Sequence, residues 1–137
     1  MSGSKFFFGV FGVLSTLLLA AGCEMVGQPK KLTAGPQVAH CVFFTLHNNS
    51  IYAKQQLVRD AYAWLRSHEG VVYFAAGERA VQMQRPVNDT TFDVSVLIVF
   101  DSVAAYDAYQ TSKKHLEFIQ RNEANWKQVR VFDSLIQ

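Results

Sequence analysis

Val38 to Leu46 reads V-A-H-C-V-F-F-T-L, a run of β-branched and aromatic residues that Asn48, Asn49 and Ser50 then break. A run of this kind closed by turn formers predicts a β-strand. One face carries His40, Val42, Phe44 and Leu46, and the other carries Ala39, Cys41, Phe43 and Thr45. Both faces are mostly apolar, so both have to be covered, and a sheet with one side bare to water is excluded. Whatever this chain folds into must supply two layers of cover around that strand.

The rest of the chain shows where one of those layers comes from. Ser50 is placed to cap a helix running to about His68, with Leu57, Ala61, Trp64 and Leu65 at helical spacing and Gly70 as its stop. Val71 to Ala80 predicts a second strand, bent at Gly77, and Pro86, Asn88 and Asp89 mark a loop. Phe92 to Phe100 predicts a third strand, with Phe92, Val94, Val96, Ile98 and Phe100 on one face and Asp93, Ser95, Leu97 and Val99 on the other. Asp101 and Ser102 open a short helix through Tyr109, and Thr111 and Ser112 restart a second piece reaching about Asn125. Lys127 to Leu135 gives a fourth strand.

The order β-α-β-β-α-β is that of a ferredoxin-like α+β domain, an antiparallel sheet with its helices on one face. The other face, assigned Phe43, Phe74, Leu97 and Val99, is too apolar to leave in water. A second copy of the same sheet is the simplest cover, so a homodimer closing as a dimeric α/β barrel is expected.

Ahead of this domain, Met1 to Lys5 supplies a short positive start, and Phe6 to Gly22 runs seventeen residues without a charge up to Cys23. These are the features of a secretory signal. The Leu17 to Cys23 run, L-L-L-A-A-G-C, resembles the bacterial lipobox, which implies lipidation at Cys23. Plain secretion and a retained transmembrane helix are the competing readings. The expected organisation is a lipoprotein signal peptide at 1–22, a lipidated Cys and flexible tether at 23–37, and the folded domain at 38–137. The lipid would hold the protein to a membrane of the cell envelope. Glu24 is not the Asp associated with inner-membrane retention, which favours the outer membrane or cell surface. Cys41 then has no thiol partner in its own chain and reads as a small buried hydrophobe.

Composition closes off other classes. Half of the 137 residues are hydrophobic and the net charge is +2, which excludes a disordered chain and gives no electrostatic footprint for nucleic acid.

Several features have a specific order: His40-Cys41-Val42-Phe43-Phe44 near the domain start, Val99-Phe100-Asp101-Ser102 after the loop, Tyr106-Asp107-Ala108-Tyr109, His115 six residues beyond that Tyr, and Val129-Arg130-Val131-Phe132-Asp133-Ser134 at the close. From about Val38 to Ser134 the chain resembles the Dabb family, the stress-responsive α/β-barrel domain proteins. The resemblance implies a ferredoxin-like fold and a dimeric barrel. It also points to a plant polyketide cyclase branch, in which a Tyr and a His six residues later act beside a first-strand His in a pocket between sheet and helices. Those positions are Tyr109, His115 and His40. The family's His-Pro-x-His stretch is Ser112-Lys113-Lys114-His115 here, so the first His and the Pro are missing.

On an unbroken helix, residues six apart point about 120° away from each other. Tyr109 and His115 can share a pocket only if the helix breaks between them, and Ser112 is a good cap for a new start. His115 in a first helical turn is biased toward the neutral ring that can act as a base, and a Tyr hydroxyl can donate to a carbonyl oxygen gaining charge. Phe44, Phe92 and Tyr73 are the candidate ligand-binding residues of the pocket wall. A purely structural role for His40, Tyr109 and His115 stands beside the catalytic one, and His47 and His68 read as surface residues. No metal-ligand spacing is present and no cofactor is expected. Three functions stay open: a dimer binding a small apolar or aromatic ligand with weak cyclase- or lyase-like acid–base chemistry, a non-catalytic interaction protein of the envelope, and a cofactor-free monooxygenase of the related dimeric-barrel class.

Overall fold

The structure is a computed structural model that describes residues 35–137 together with Gly3. Apart from Gly3, the expected signal peptide, the expected lipidation at Cys23 and all but the last positions of the expected tether lie outside the described residues.

Four strands and three helices succeed one another as β1 (Gln37–Leu46), α1 (Ile51–Trp64), β2 (Val71–Glu78), β3 (Val94–Phe100), α2 (Val103–Gln110), α3 (Lys113–Asn122) and β4 (Trp126–Ile136), with a single 3₁₀ turn at Glu123–Asn125 before β4. The sheet order is β2-β3-β1-β4 and every neighbouring pair is antiparallel. This is the ferredoxin-like arrangement. β1 begins one residue earlier than the sequence suggests, at Gln37, because β4 is long enough to pair with it there through Ile136.

Alternation on the two central strands decides the core. Val38, Val42, Phe44 and Leu46 of β1 and Val94, Val96, Ile98 and Phe100 of β3 are buried beneath the helices. They pack with Leu57, Ala61 and Leu65 from α1 and its C-cap, Tyr109 of α2 and Phe118 of α3. Each buried Val, Leu, Ile or Phe among them contributes about 1.5–3 kcal/mol by leaving water. Ser50 caps α1, its Oγ accepting from the Ala53 N–H. Gly70 has φ +81°, and a Cβ there would stand 2.3 Å from the Ala105 Cβ, so both its conformation and the approach of α2 require glycine.

Two expectations about faces are corrected. β2 carries a register shift between Val71, opposite Phe100, and Tyr73, opposite Val99. The extra residue inverts the parity of the rest of the strand. Phe74 therefore lies opposite Ile98 on the helix side, its ring 5.1 Å from that of Tyr62, and Tyr73 is the residue on the open face. Phe92 falls before β3 rather than in it. There the Asp93 N–H donates to the Phe44 carbonyl while the Asp93 carboxylate accepts from the Leu46 N–H. That local turn releases Phe92 from the strand's alternation and sets it 4.9 Å from Phe43, again on the open face.

The open face thus presents Cys41, Phe43, Leu97, Val99, Tyr73 and Phe132, with Tyr73 and Phe132 each 54% exposed. Phe92 and the loop at Asp89, which pairs with Arg130, lie over its Phe43 end, and the remainder stays partly open.

Candidate functional site

The site is built where α2 stops and α3 begins. Thr111 ends α2, and Ser112 caps α3, its Oγ accepting from the His115 N–H at 3.3 Å and donating to the Tyr109 carbonyl at 2.8 Å. This break turns the chain so that the Tyr109 and His115 rings lie 4.4 Å apart. The His40 ring on β1 is 5.9 Å from that of Tyr109. All three line one cavity of about 220 Å³ between the sheet and the helices, so the structure brings together the three residues that the sequence singled out.

The cavity wall is apolar, with Phe44 and Val96 from the sheet, Leu65 from the end of α1 and Phe118 from α3. No Lys, Arg, Asp or Glu lines it. Val129 and Val131 of the edge strand β4 stay partly exposed at its border. Of the candidate ligand-binding residues, Phe44 belongs to this cavity. Phe92 and Tyr73 do not, because the turn before β3 and the bulge in β2 put both on the opposite side of the sheet.

Hydrogen bonds fix the orientation of both rings. His115 Nδ1 donates to the Gln110 carbonyl at 2.9 Å, so the neutral ring carries its lone pair on Nε2. Burial holds the His115 pKa below the ordinary imidazole value, and neighbouring His40 pushes the same way, outweighing the opposite pull of the Gln110 carbonyl. His40 Nδ1 bonds the Asp133 carboxylate at 2.6 Å across the β1–β4 pairing, and the second carboxylate oxygen accepts from the Tyr106 hydroxyl at 2.9 Å. Asp133 therefore orients the His40 ring. Burial pushes the Tyr109 hydroxyl far up, with Tyr106 adding to the shift, so this phenol keeps its proton and can donate it in a hydrogen bond. Among the described residues nothing hydrogen-bonds that hydroxyl.

Sequence reasoning missed Asp133, Tyr106 and His68. Asp133 had a signal: Val129, Val131 and Asp133 alternate on β4, an apolar row ending in a carboxylate. Tyr106 lies one turn before Tyr109 on α2, a helical spacing that is visible in the sequence, and it meets His40 and Asp133. His68 is not a surface residue. Its ring stands edge-on to Tyr109 at 4.9 Å, with Nε2 enclosed and unpartnered. Burial and then Lys114 and His115 depress its pKa. The turn after α1 that swings it inward is a tertiary feature with no local motif. No group of three or more His, Cys, Asp and Glu among the described residues is arranged to hold a metal ion.

A four-stranded ferredoxin-like sheet with a Tyr- and His-lined apolar cavity beneath its helices defines a class of small α+β barrel domains. Residues 38–136 match the Stress responsive A/B Barrel Domain, and the chain belongs to that family, Dabb. A comparison with functionally curated proteins returns no match. Among solved structures, a Dabb family protein with a ferredoxin-like fold from Mesorhizobium loti is 22% identical, with a TM-score of 0.62 over 74% of this chain and 98% of that one. A dimeric ferredoxin-like protein of unknown function from Thermobifida fusca is 12% identical, with a TM-score of 0.65 over 78% of this chain and 97% of the other. The hydroxynitrile lyase of Passiflora edulis is 20% identical, with a TM-score of 0.60 over 74% and 94% of the two chains. At these identities the likeness is one of fold.

Proposed function

We propose that this protein is a lipid-anchored Dabb dimer that binds a small apolar or aromatic carbonyl compound and acts on it by acid–base chemistry. The observation that carries the reading is the convergence of His40, Tyr109 and His115 on one cavity with an uncharged wall. His115, neutral with its lone pair on Nε2, takes a proton next to the carbonyl, and the Tyr109 hydroxyl donates to the oxygen as negative charge develops there. His40, held by Asp133, is the second acid–base group. The Passiflora hydroxynitrile lyase is a fold relative that carries out a lyase reaction, which is in keeping with this chemistry.

Dimerisation is supported by the half-exposed apolar face and by relatives described as dimeric. The second copy covers Phe43, Leu97, Val99 and Phe132 and leaves the cavity, on the far side of the sheet, open to ligand. Anchoring rests on the Leu17 to Cys23 run, with the outer membrane or cell surface as destination. A Cys23→Ser variant is expected to leave the membrane fraction, and one that stays there refutes the anchor.

Thermal shift with small phenyl ketones and aromatic aldehydes tests the binding reading. Ligands that bind the native state raise its melting temperature. Stabilisation is expected in the wild type and is expected to be lost in His115→Ala. Equal shifts in the two proteins, or none in either, overturn it. A second reading, in which these side chains only hold the fold, is favoured by the hydrogen bonds from His115 to Gln110 and His40 to Asp133. It predicts that His115→Ala lowers the melting temperature without altering any ligand response.

A further inference from the structure

Trp126 stands between two cavities. One is the site above. The other, of about 270 Å³, lies toward the start of α1 and the end of α3 and is lined by Leu46, Tyr52, Leu57, Arg121 and Asn122 among others. The indole is a wall of both. Its Nε1 is enclosed and donates to nothing among the described residues, an arrangement that costs about 1–3 kcal/mol relative to a satisfied donor. No hydrogen bond therefore has to be broken for the ring to move. The backbone is irregular at this point as well, since the β1–β4 register shifts between Thr45 and Leu46, the latter paired with Trp126. Beyond the ring, the Arg121 guanidinium lies over Trp64 at 4.6 Å and has no carboxylate partner among the described residues.

We propose that Trp126 is a movable partition, and that the joined space takes an amphipathic ligand: an uncharged carbonyl head at His115 and Tyr109, an apolar chain passing Trp126, and an anionic tail on Arg121. This rests on the proposed function for the head and adds the tail. From His40 to Leu46, β1 spans roughly 20 Å at about 3.3 Å per residue, which suits a chain of about a dozen carbons.

The test uses three probes and calorimetric titration: a short neutral phenyl ketone, a phenyl ketone on a dodecyl chain, and the same long ketone ending in a carboxylate. The carboxylate is expected to tighten binding about tenfold in the wild type, and the gain is expected to vanish in Arg121→Gln. Trp126→Leu is expected to favour both long probes over the short one, with Trp126→Phe as a fold control that keeps an aromatic wall. A carboxylate without effect, a gain that survives Arg121→Gln, or equal losses for short and long probes in Trp126→Leu overturns the tail subsite. If the short ketone still binds in that case, the proposed head site stands. If the long acid binds through Arg121 while His115→Ala changes nothing, the head reading falls and the tail subsite stands. If no probe binds, both fall.

Discussion

Replacing Ser112 by Ala removes the element that makes the site possible. The Ser112 Oγ accepts from the His115 N–H and donates to the Tyr109 carbonyl, so one hydroxyl ties together the two residues on either side of the helix break. Loss of a Ser N-cap costs about 1 kcal/mol. The second hydrogen bond, to a half-buried carbonyl, contributes roughly another 1 kcal/mol. A total near 2 kcal/mol corresponds to a fall in melting temperature of about 8–16 °C for a domain of this size. Urea and thermal melts followed by circular dichroism, at one fixed protein concentration because dimerisation adds to stability, measure it. Ser112→Thr keeps both hydrogen bonds and is expected to recover most of the loss. The His115 ring signal in NMR should shift in the Ala variant as it leaves Tyr109, 4.4 Å away in the wild type. An Ala variant within about 0.5 kcal/mol of wild type, or a Thr variant as unstable as the Ala one, would refute the argument that this cap builds the site.

Three further outcomes are expected. Gly70→Ala combines a positive φ with a Cβ 2.3 Å from that of Ala105, and should cost at least about 2 kcal/mol in a denaturant melt. An Ala variant as stable as wild type would mean that α2 does not need this close approach. His68 and His115 both have pKa values depressed by burial, so below the ordinary imidazole value of about 6.5 the unfolded chain takes protons that the native state resists. Their contribution to stability is therefore complete above that pH and falls as the pH drops below it. His68→Phe should flatten the slope measured by melts between roughly pH 7 and 5, and an unchanged slope would exclude His68 as a source. Leu97→Asp places a charge at the middle of the open face and should yield a monomer in sedimentation velocity at micromolar concentration; a persistent dimer would place the interface elsewhere.

The helix break illustrates why part of the site was legible. Ser112 as a cap and the six-residue spacing from Tyr109 to His115 are local facts, and local facts survive folding unless packing opposes them. Asp133 was harder, because a carboxylate on β4 meets a histidine on β1 only through the strand register, and register is a property of two segments at once. His68 was harder still, since its inward turn depends on how α1 ends against α2 and α3.

By itself the chain's pattern determined the order of elements, the sheet's antiparallel class, and the need for cover on both sides of β1, because side-chain alternation and helical spacing are written residue by residue. Only the tertiary structure decided which side of the sheet Phe74, Tyr73 and Phe92 occupy. The register shift in β2 puts Phe74 under the helices and Tyr73 on the open face, and the turn before β3 frees Phe92 alone, because both depend on how the strands pair rather than on any one segment. The same holds for the cavity: its walls come from strands and helices far apart in sequence, so its shape and uncharged lining exist only once they have packed.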